Sequence, residues 1–213
     1  MPVRKIPLVE GHIYHIFTRS IGKYEIFKSE KDYLRMLDTI EYYRNCEGVR
    51  FSQFQNLKRG KPLPEIAKEG RVSIISYCLM PTHLHFILFQ EEKEGISKFM
   101  ERVLKSYAKY FNYKYRREGP LWSSRFKNVL VKTDEQLLHL TRYIHLNPCT
   151  SFLVEKPEEW KFSSYLEFIG ESKRKICEFE KFLDINPPDY KKFVEERKDY
   201  QRELAKIKNL LLE

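Results

Sequence analysis

Residues 72–89 read Val72-Ser73-Ile74-Ile75-Ser76-Tyr77-Cys78-Leu79-Met80-Pro81-Thr82-His83-Leu84-His85-Phe86-Ile87-Leu88-Phe89, two apolar runs about a proline. Val72–Leu79 is β-branched and apolar, hence a strand. Met80-Pro81-Thr82 is a turn, because proline has no N–H to give to a central ladder. His83–Phe89 is then a second, buried strand. Upstream, residues 12–18 read as a first strand. Ser29 is a good N-cap for a helix to about Tyr43, with Glu30, Lys31 and Asp32 in its first turn. Downstream, residues 96–115 read as a helix ended by Gly119-Pro120, and Phe126–Val131 as a strand. Thr133 and Gln136, in capping-box spacing, open a helix through Leu146. That helix is expected to stop before Pro148, since the residue preceding proline is pushed out of the α region.

The order is β-α-β-β-α-β and then a helix. It predicts an α+β, ferredoxin-like split β-α-β fold: an antiparallel sheet with helices on one face, plus a helical C-terminal appendage. Residues 47–70 are read as a short strand (Val49–Phe54) and a polar loop carrying Pro62 and Pro64. Beyond Gly170 the composition turns polar. Residues 171–175 read as a linker, and Asp189 to about Leu211 as a charged helix with an apolar stripe of Tyr200, Leu204, Ile207 and Leu211. The expected division is 1–170 as the main domain and 171–213 as a charged helical extension.

The chain has 213 residues, 42% of them apolar and 15% aromatic, which excludes wholesale disorder. No apolar run approaches the ~20 residues of a membrane span. Residues 1–7 show no apolar core of a secretory signal. Cys46, Cys78, Cys149 and Cys177 form no CxxC pair, which fits neither a zinc site nor a disulfide framework. A cytoplasmic, reducing setting is the expectation.

The net charge of +9 is unevenly placed. Between Lys98 and Lys132, ten basic residues face two acidic ones, an excess of eight. Lys98, Arg102, Lys105 and Lys109 recur along one helical face, and Met100, Leu104, Tyr107, Phe111 and Tyr115 along another. Eight aromatics interleave the basic groups, Trp122 among them. Cations neutralise phosphates and flat rings stack on unpaired bases, so the segment suits a nucleic acid; a solvated basic face over a core stripe suits it equally.

Two constellations carry chemistry. His83 and His85 alternate along a strand and therefore share a face, half of a metal site or a pair of packed imidazoles. On the helix from Thr133, Gln136, His139, Tyr143 and Asn147 form a polar stripe. Tyr143 and Asn147, four residues apart, address one point in space. A phenol can attack phosphorus, and an amide oxygen can hold a hard cation. The plainer alternative is a surface tyrosine and an asparagine near the helix end.

These residues together resemble a known family. Met80–Leu88 is similar to the His-hydrophobe-His (HUH) strand of IS200-like single-tyrosine (Y1) transposases. Tyr14-His15-Ile16-Phe17-Thr18-Arg19 resembles the family's first strand, and Gly119–Lys127 its Gly-x-Leu-Trp-Gln-x-Arg-Phe segment, with Ser123 in place of Gln. Tyr143-Ile144-His145-Leu146-Asn147-Pro148 resembles its tyrosine helix, and Trp160–Tyr165 its Trp-x-x-Ser-Ser-Tyr segment. The pattern is closest to the REP-associated branch. Residues 47–70 are longer than the usual connection, and Asn147 stands where Gln is frequent.

The resemblance implies that His83, His85 and Asn147 bind Mg²⁺ or Mn²⁺. It implies that Tyr143 attacks single-stranded or hairpin DNA, giving a 5′-phosphotyrosine and a free 3′-OH. Lys98, Arg102, Lys105, Lys109, Trp122, Arg125 and Lys127 are the expected DNA contacts. A homodimer is compatible with it. A catalytically silent single-strand-binding protein on the same fold is the alternative, and the intact His83, His85, Tyr143 and Asn147 set argues for activity.

Overall fold

A computed structural model describes residues 6–45, 51 and 72–210. Four strands, β1 (Ile13–Arg19), β2 (Val72–Met80), β3 (His83–Gln90) and β4 (Lys127–Val131), form one sheet in the order β2-β3-β1-β4, every neighbour antiparallel. This is the split β-α-β arrangement: β1, first in the chain, lies in the middle. The main helices are α1 (Glu30–Asn45), α2 (Gly95–Lys114), α3 (Asp134–Thr150) and α5 (Pro187–Leu210); α4 (Tyr165–Phe168) is one turn. The strand read over 49–54 and the loop over 47–70 fall, Phe51 apart, outside the described residues.

Alternation sorts each strand. Tyr14, Ile16, Leu84, Phe86 and Leu88 face α1 and α2 and are essentially buried. On that side the Phe86 ring lies 6.3 Å from Phe99 of α2. Met100, Leu104, Tyr107 and Phe111 are buried, as their spacing predicts. Ser29 stands just before α1, and the capping bond comes from Asp32, whose carboxylate accepts from the Ser29 amide and hydroxyl at 3.0 Å each. Asp32 is fully buried and also accepts from Lys114 Nζ (2.6 Å), Tyr115 Oη (2.7 Å) and Tyr110 Oη (2.9 Å). Burial alone would raise its pKa; the bonds from Lys114, Tyr115, Tyr110 and Ser29 outweigh it and hold the carboxyl below its usual value. The loop before α1 is thereby tied to the end of α2.

The opposite face of the sheet takes α3. This helix runs through Pro148 to Thr150 rather than stopping before it. Pro148 sits in the last turn, where its missing N–H removes a single rung and the following turn closes with Ser151 N–H donating to Asn147 O at 3.0 Å. The outer edge of β2 is covered by the chain after α3. Leu79 N–H donates to Phe162 O, Ser164 N–H to Tyr77 O and Glu178 N–H to Ile74 O, all within 3.0 Å. The Trp-x-x-Ser-Ser-Tyr segment therefore works as an edge cover, and Trp160 Nε1 donates to Leu79 O at 3.0 Å.

Residues after Gly170 share the main core. Ile176, Cys177, Phe179, Tyr190 and Val194 are buried in it. Residues 171–175, expected as a linker, have no regular structure, yet Arg174 pairs with Asp38 (2.9 Å) and Glu41 (3.0 Å) of α1. The packed face of α5 begins at Tyr190, Phe193 and Val194; Tyr200, placed on the apolar stripe by spacing, is 52% exposed. Cys78, Cys149 and Cys177 are free and buried. Among the described residues no helix is long and apolar enough to cross a membrane.

Tyr190 Oη is 2.7 Å from His145 Nδ1 and donates to Thr141 Oγ1 at 2.9 Å, all buried. Tyr190→Phe leaves His145 Nδ1 without a partner, whereas Thr141 Oγ1 keeps its bond to Leu138 O at 2.8 Å. The substitution should cost about 1–3 kcal/mol in urea unfolding. A loss under about 0.5 kcal/mol would mean that the contact adds nothing beyond the ring's packing.

Candidate active site

Pairing of β1 with β3 sets Phe17 opposite His85 and Arg19 opposite His83. Alternation then brings His15, Phe17, Arg19, His83 and His85 to one face, and Lys127, paired with Phe17 from β4, joins them. The His83 and His85 ring centroids are 5.0 Å apart at 83°. The ring of Phe17 lies along His85 at 6.2 Å. Leu84, between the histidines, is fully buried on the far side and anchors the strand.

Each histidine uses its Nδ1. His83 Nδ1 is 3.0 Å from Thr82 Oγ1, and His85 Nδ1 is 3.0 Å from His15 Nε2. Neither Nε2 has a hydrogen-bond partner among the described residues. Burial, reinforced by the nearby Arg19 cation, pushes His83 down to about 4. Burial, with His83, His15 and Arg19 beside it, pushes His85 down to about 2. Burial pushes His15 down to about 4. All three imidazoles are therefore neutral at pH 7, and a neutral imidazole has a lone pair to offer a cation.

Tyr143 comes from α3 across this face. Its ring lies 6.2 Å from His85 and 6.5 Å from His15, edge-on to both. Its side chain is 45% exposed, and its hydroxyl makes no hydrogen bond among the described residues. Partial burial raises its pKa above the usual phenol value, which keeps it protonated at neutral pH. Two tyrosines of α2 have their hydroxyls occupied. Tyr107 is fully buried and donates to Ile26 O, and Tyr110 donates to Asp32.

The orientation of α3 is set from behind by His145, two residues after Tyr143. Its Nε2 lies 3.1 Å from Ser76 Oγ and 2.7 Å from Ser164 Oγ, and its Nδ1 is held by Tyr190. One buried ring thus joins β2, the edge-covering segment, α3 and α5. Burial pushes its pKa down to about 3, so it too is neutral.

Asn147, four residues after Tyr143, is 9% exposed, and its Nδ2 is buried with no hydrogen-bond partner. A buried amide that is half unsatisfied, beside a helix face carrying Tyr143, is unusual enough to suggest a missing ligand. Turning the amide by half a rotation presents its oxygen there instead. The two free Nε2 atoms and this amide fit a hard or borderline divalent cation. Among the described residues no three His, Cys, Asp or Glu side chains are grouped to hold a metal.

The basic residues divide. Arg19, Arg125 and Lys127 line, with Phe17, Thr18, Ser123 and Ser124, a recess of about 200 Å³ on the histidine face. Lys98, Arg102, Lys105 and Lys109 lie on α2, across the sheet from the histidines, and Lys98 pairs with Glu94 at 3.2 Å. Trp122 is half-buried: its Nε1 donates to Leu104 O at 3.0 Å and its ring lies 6.3 Å from Tyr107. That placement ties the indole to α2. The sequence reading named neither His15 nor Arg19 as a site residue. The available signal was their two-residue spacing with Phe17, which puts all three on the face opposite Tyr14 and Ile16.

Fold and site together define a split β-α-β protein with a histidine-rich sheet face and a helix-borne tyrosine. The chain belongs to the IS200-like transposase family, whose model matches residues 8–147. A Haemophilus influenzae protein with the provisional name REP-associated tyrosine transposase is 28% identical over 102 residues, 43% of this chain and 57% of that relative. The match thus spans little more than half of the relative's length. A solved REP-associated tyrosine transposase bound to a REP hairpin overlays with a TM-score of 0.53 at 15% identity, over 87% of this chain and 99% of that one. At that identity the likeness shows a shared fold.

The neutral, buried His145 gives a pH test. Its folded pKa lies below the unfolded value of about 6.5, so its contribution is complete above about pH 6.5 and is lost as pH falls toward 3. His145→Gln removes that titration. Urea unfolding between pH 6 and 4 should show a wild-type slope steeper than the variant's by up to about 1.4 kcal/mol per pH unit. Parallel slopes would mean that the ring can take up a proton in place.

Proposed function

We propose that the chain is a divalent-metal-dependent transposase that cleaves and rejoins single-stranded, hairpin-bearing DNA through a 5′-phosphotyrosine on Tyr143. The observation that carries this reading is an accessible phenol set edge-on, at 6.2 Å between ring centroids, against a histidine whose Nε2 is free. Family membership and a relative of the same fold seen on a REP hairpin support it.

In the proposed reaction Tyr143 Oη forms a bond to the scissile phosphorus and loses its proton. The bond from phosphorus to the 3′-oxygen breaks, and that oxygen leaves as a 3′-OH after taking up a proton. One phosphodiester becomes another, so the reverse attack by a 3′-OH reseals DNA without a nucleotide cofactor. His83 and His85, through Nε2, and Asn147, through its amide oxygen, would hold Mg²⁺ or Mn²⁺. When bound, that cation supplies positive charge for a non-bridging phosphate oxygen. Arg19, Arg125 and Lys127 ring the recess beside the histidines and would take the neighbouring phosphates, with Phe17 as an apolar floor.

The test is covalent trapping. Wild-type protein mixed with Mn²⁺ and labelled single-stranded DNA from the flanks of its own gene should give a protein–DNA adduct stable to denaturation. Tyr143→Phe should bind the same DNA and give no adduct, a loss of at least about 10³-fold for removal of a nucleophile. An adduct that survives the change refutes Tyr143 as nucleophile. A wild type that binds DNA and never forms an adduct is a silent binding module.

The recess gives a separate expectation. Arg125→Glu combined with Lys127→Glu should lower the magnitude of the log–log salt slope by about 1.4, at about 0.7 per lost single-strand phosphate contact. Unchanged affinity across the salt series would move the DNA path away from the recess.

A further inference from the structure

His15 belongs to none of the roles above, yet it is the closest polar neighbour of His85. Its Nε2 lies 3.0 Å from His85 Nδ1, and the two rings run nearly parallel, 5.2 Å apart at 16°. They come from strands 70 residues apart in the chain, joined only because β1 pairs with β3. We infer that His15 is a positioning residue: its Nε2 accepts the Nδ1 proton of His85 and so keeps the His85 Nε2 lone pair free for the metal.

The chemistry leaves two arrangements. Two neutral imidazoles sharing one hydrogen bond place one proton between them. If His85 donates from Nδ1, its Nε2 is bare and can ligate. If His15 donates from Nε2, the His85 proton sits on its own Nε2 and that atom cannot ligate. Metal-bound histidines ordinarily donate their second N–H to a carboxylate or a carbonyl, which sets tautomer and ring direction. Among the described residues no carboxylate is bonded to either histidine; His85 finds an imidazole instead, and His83 finds the Thr82 hydroxyl at 3.0 Å. The His15 ring lies within 16° of the plane of the His85 ring, as a direct bond between their ring nitrogens requires, so the same contact sets the plane of the His85 ring.

The inference rests on the metal reading of His83 and His85, and the experiment separates the two. The full chain is compared with His15→Gln, which keeps an acceptor oxygen at a similar reach, and His15→Phe, which keeps a ring and removes the acceptor. Nitrogen-15 NMR of the metal-free proteins reads the His85 tautomer directly, and Mn²⁺ titration followed by electron paramagnetic resonance reads affinity without DNA or turnover. The expected results are an Nδ1–H tautomer of His85 in wild type and His15→Gln and its loss in His15→Phe. Mn²⁺ binding should weaken about 10–100-fold in His15→Phe and much less in His15→Gln. An Nε2–H tautomer in the metal-free wild type overturns the inference, whatever the metal does. So does a His15→Phe protein that binds Mn²⁺ like wild type, or a His15→Gln protein that binds no better than His15→Phe. A wild type with the Nδ1–H tautomer that takes up no Mn²⁺ overturns the metal reading itself, and the role of His15 falls with it. Should His15→Phe fail to fold, the wild-type tautomer and the His15→Gln titration still decide.

Discussion

The register between β1 and β3 is the constraint on which the rest depends. With Phe17 opposite His85 and Ile16 opposite Phe86, each strand separates into a core side and a site side. A slip of one residue would send both histidines into the α1–α2 core and turn Leu84 and Phe86 outward. The register is protected by that asymmetry. Tyr14, Ile16, Leu84 and Phe86 are each 0–1% exposed, and burying side chains of this kind is worth roughly 1.5–3 kcal/mol each, so the shifted alignment is far out of reach. The same apolar residues that make the core therefore fix the geometry of the chemistry behind them.

The second dependence is polar. A helix lying over half of a sheet can rotate or slide unless something directional holds it. For α3 that role falls to His145, which links it to Ser76, Ser164 and Tyr190. Every partner is buried, so each bond is expensive to leave unmade, and the set as a whole specifies one placement of the helix. Tyr143 and Asn147 flank this anchor on either side. Their positions over the sheet are inherited from a side chain that is itself wholly buried.

Much of this was legible in the sequence. Alternation gave the four strands to within about a residue, and helical spacing gave the buried stripe of α2 because there the local pattern and the tertiary contacts agree. The same-face placement of His83 and His85 followed from the two-residue period alone. What was not legible depended on long-range partners. Pro148 was read as a stop, yet a proline in the last turn costs one rung and the helix goes on. Arg174 looked like linker charge until Asp38 and Glu41 stood beside it. The stripe predicted on α5 chose Tyr200, whereas its packed face was set by where His145 waits for Tyr190. The basic residues read as one surface because they are neighbours in the chain, and the sheet divides them between two sides. The two-residue period places His15 on the site face, but its bond to His85 depends on a partner 70 residues on in the chain.

The central position of β1 has a consequence for how the protein is made. When β1 leaves the ribosome both its neighbours are still unwritten: β3 begins at His83 and β4 at Lys127. A ferredoxin-like order forces this waiting, and non-local pairing of this kind is slow to form. His15 cannot meet His85 before the middle of the chain is out, Tyr143 arrives later still, and the helix that carries it is not clamped until Tyr190 has emerged. A nascent or prematurely terminated chain is thus without the full constellation. Every fragment that ends before Tyr190 lacks the bond that clamps the tyrosine-bearing helix from behind.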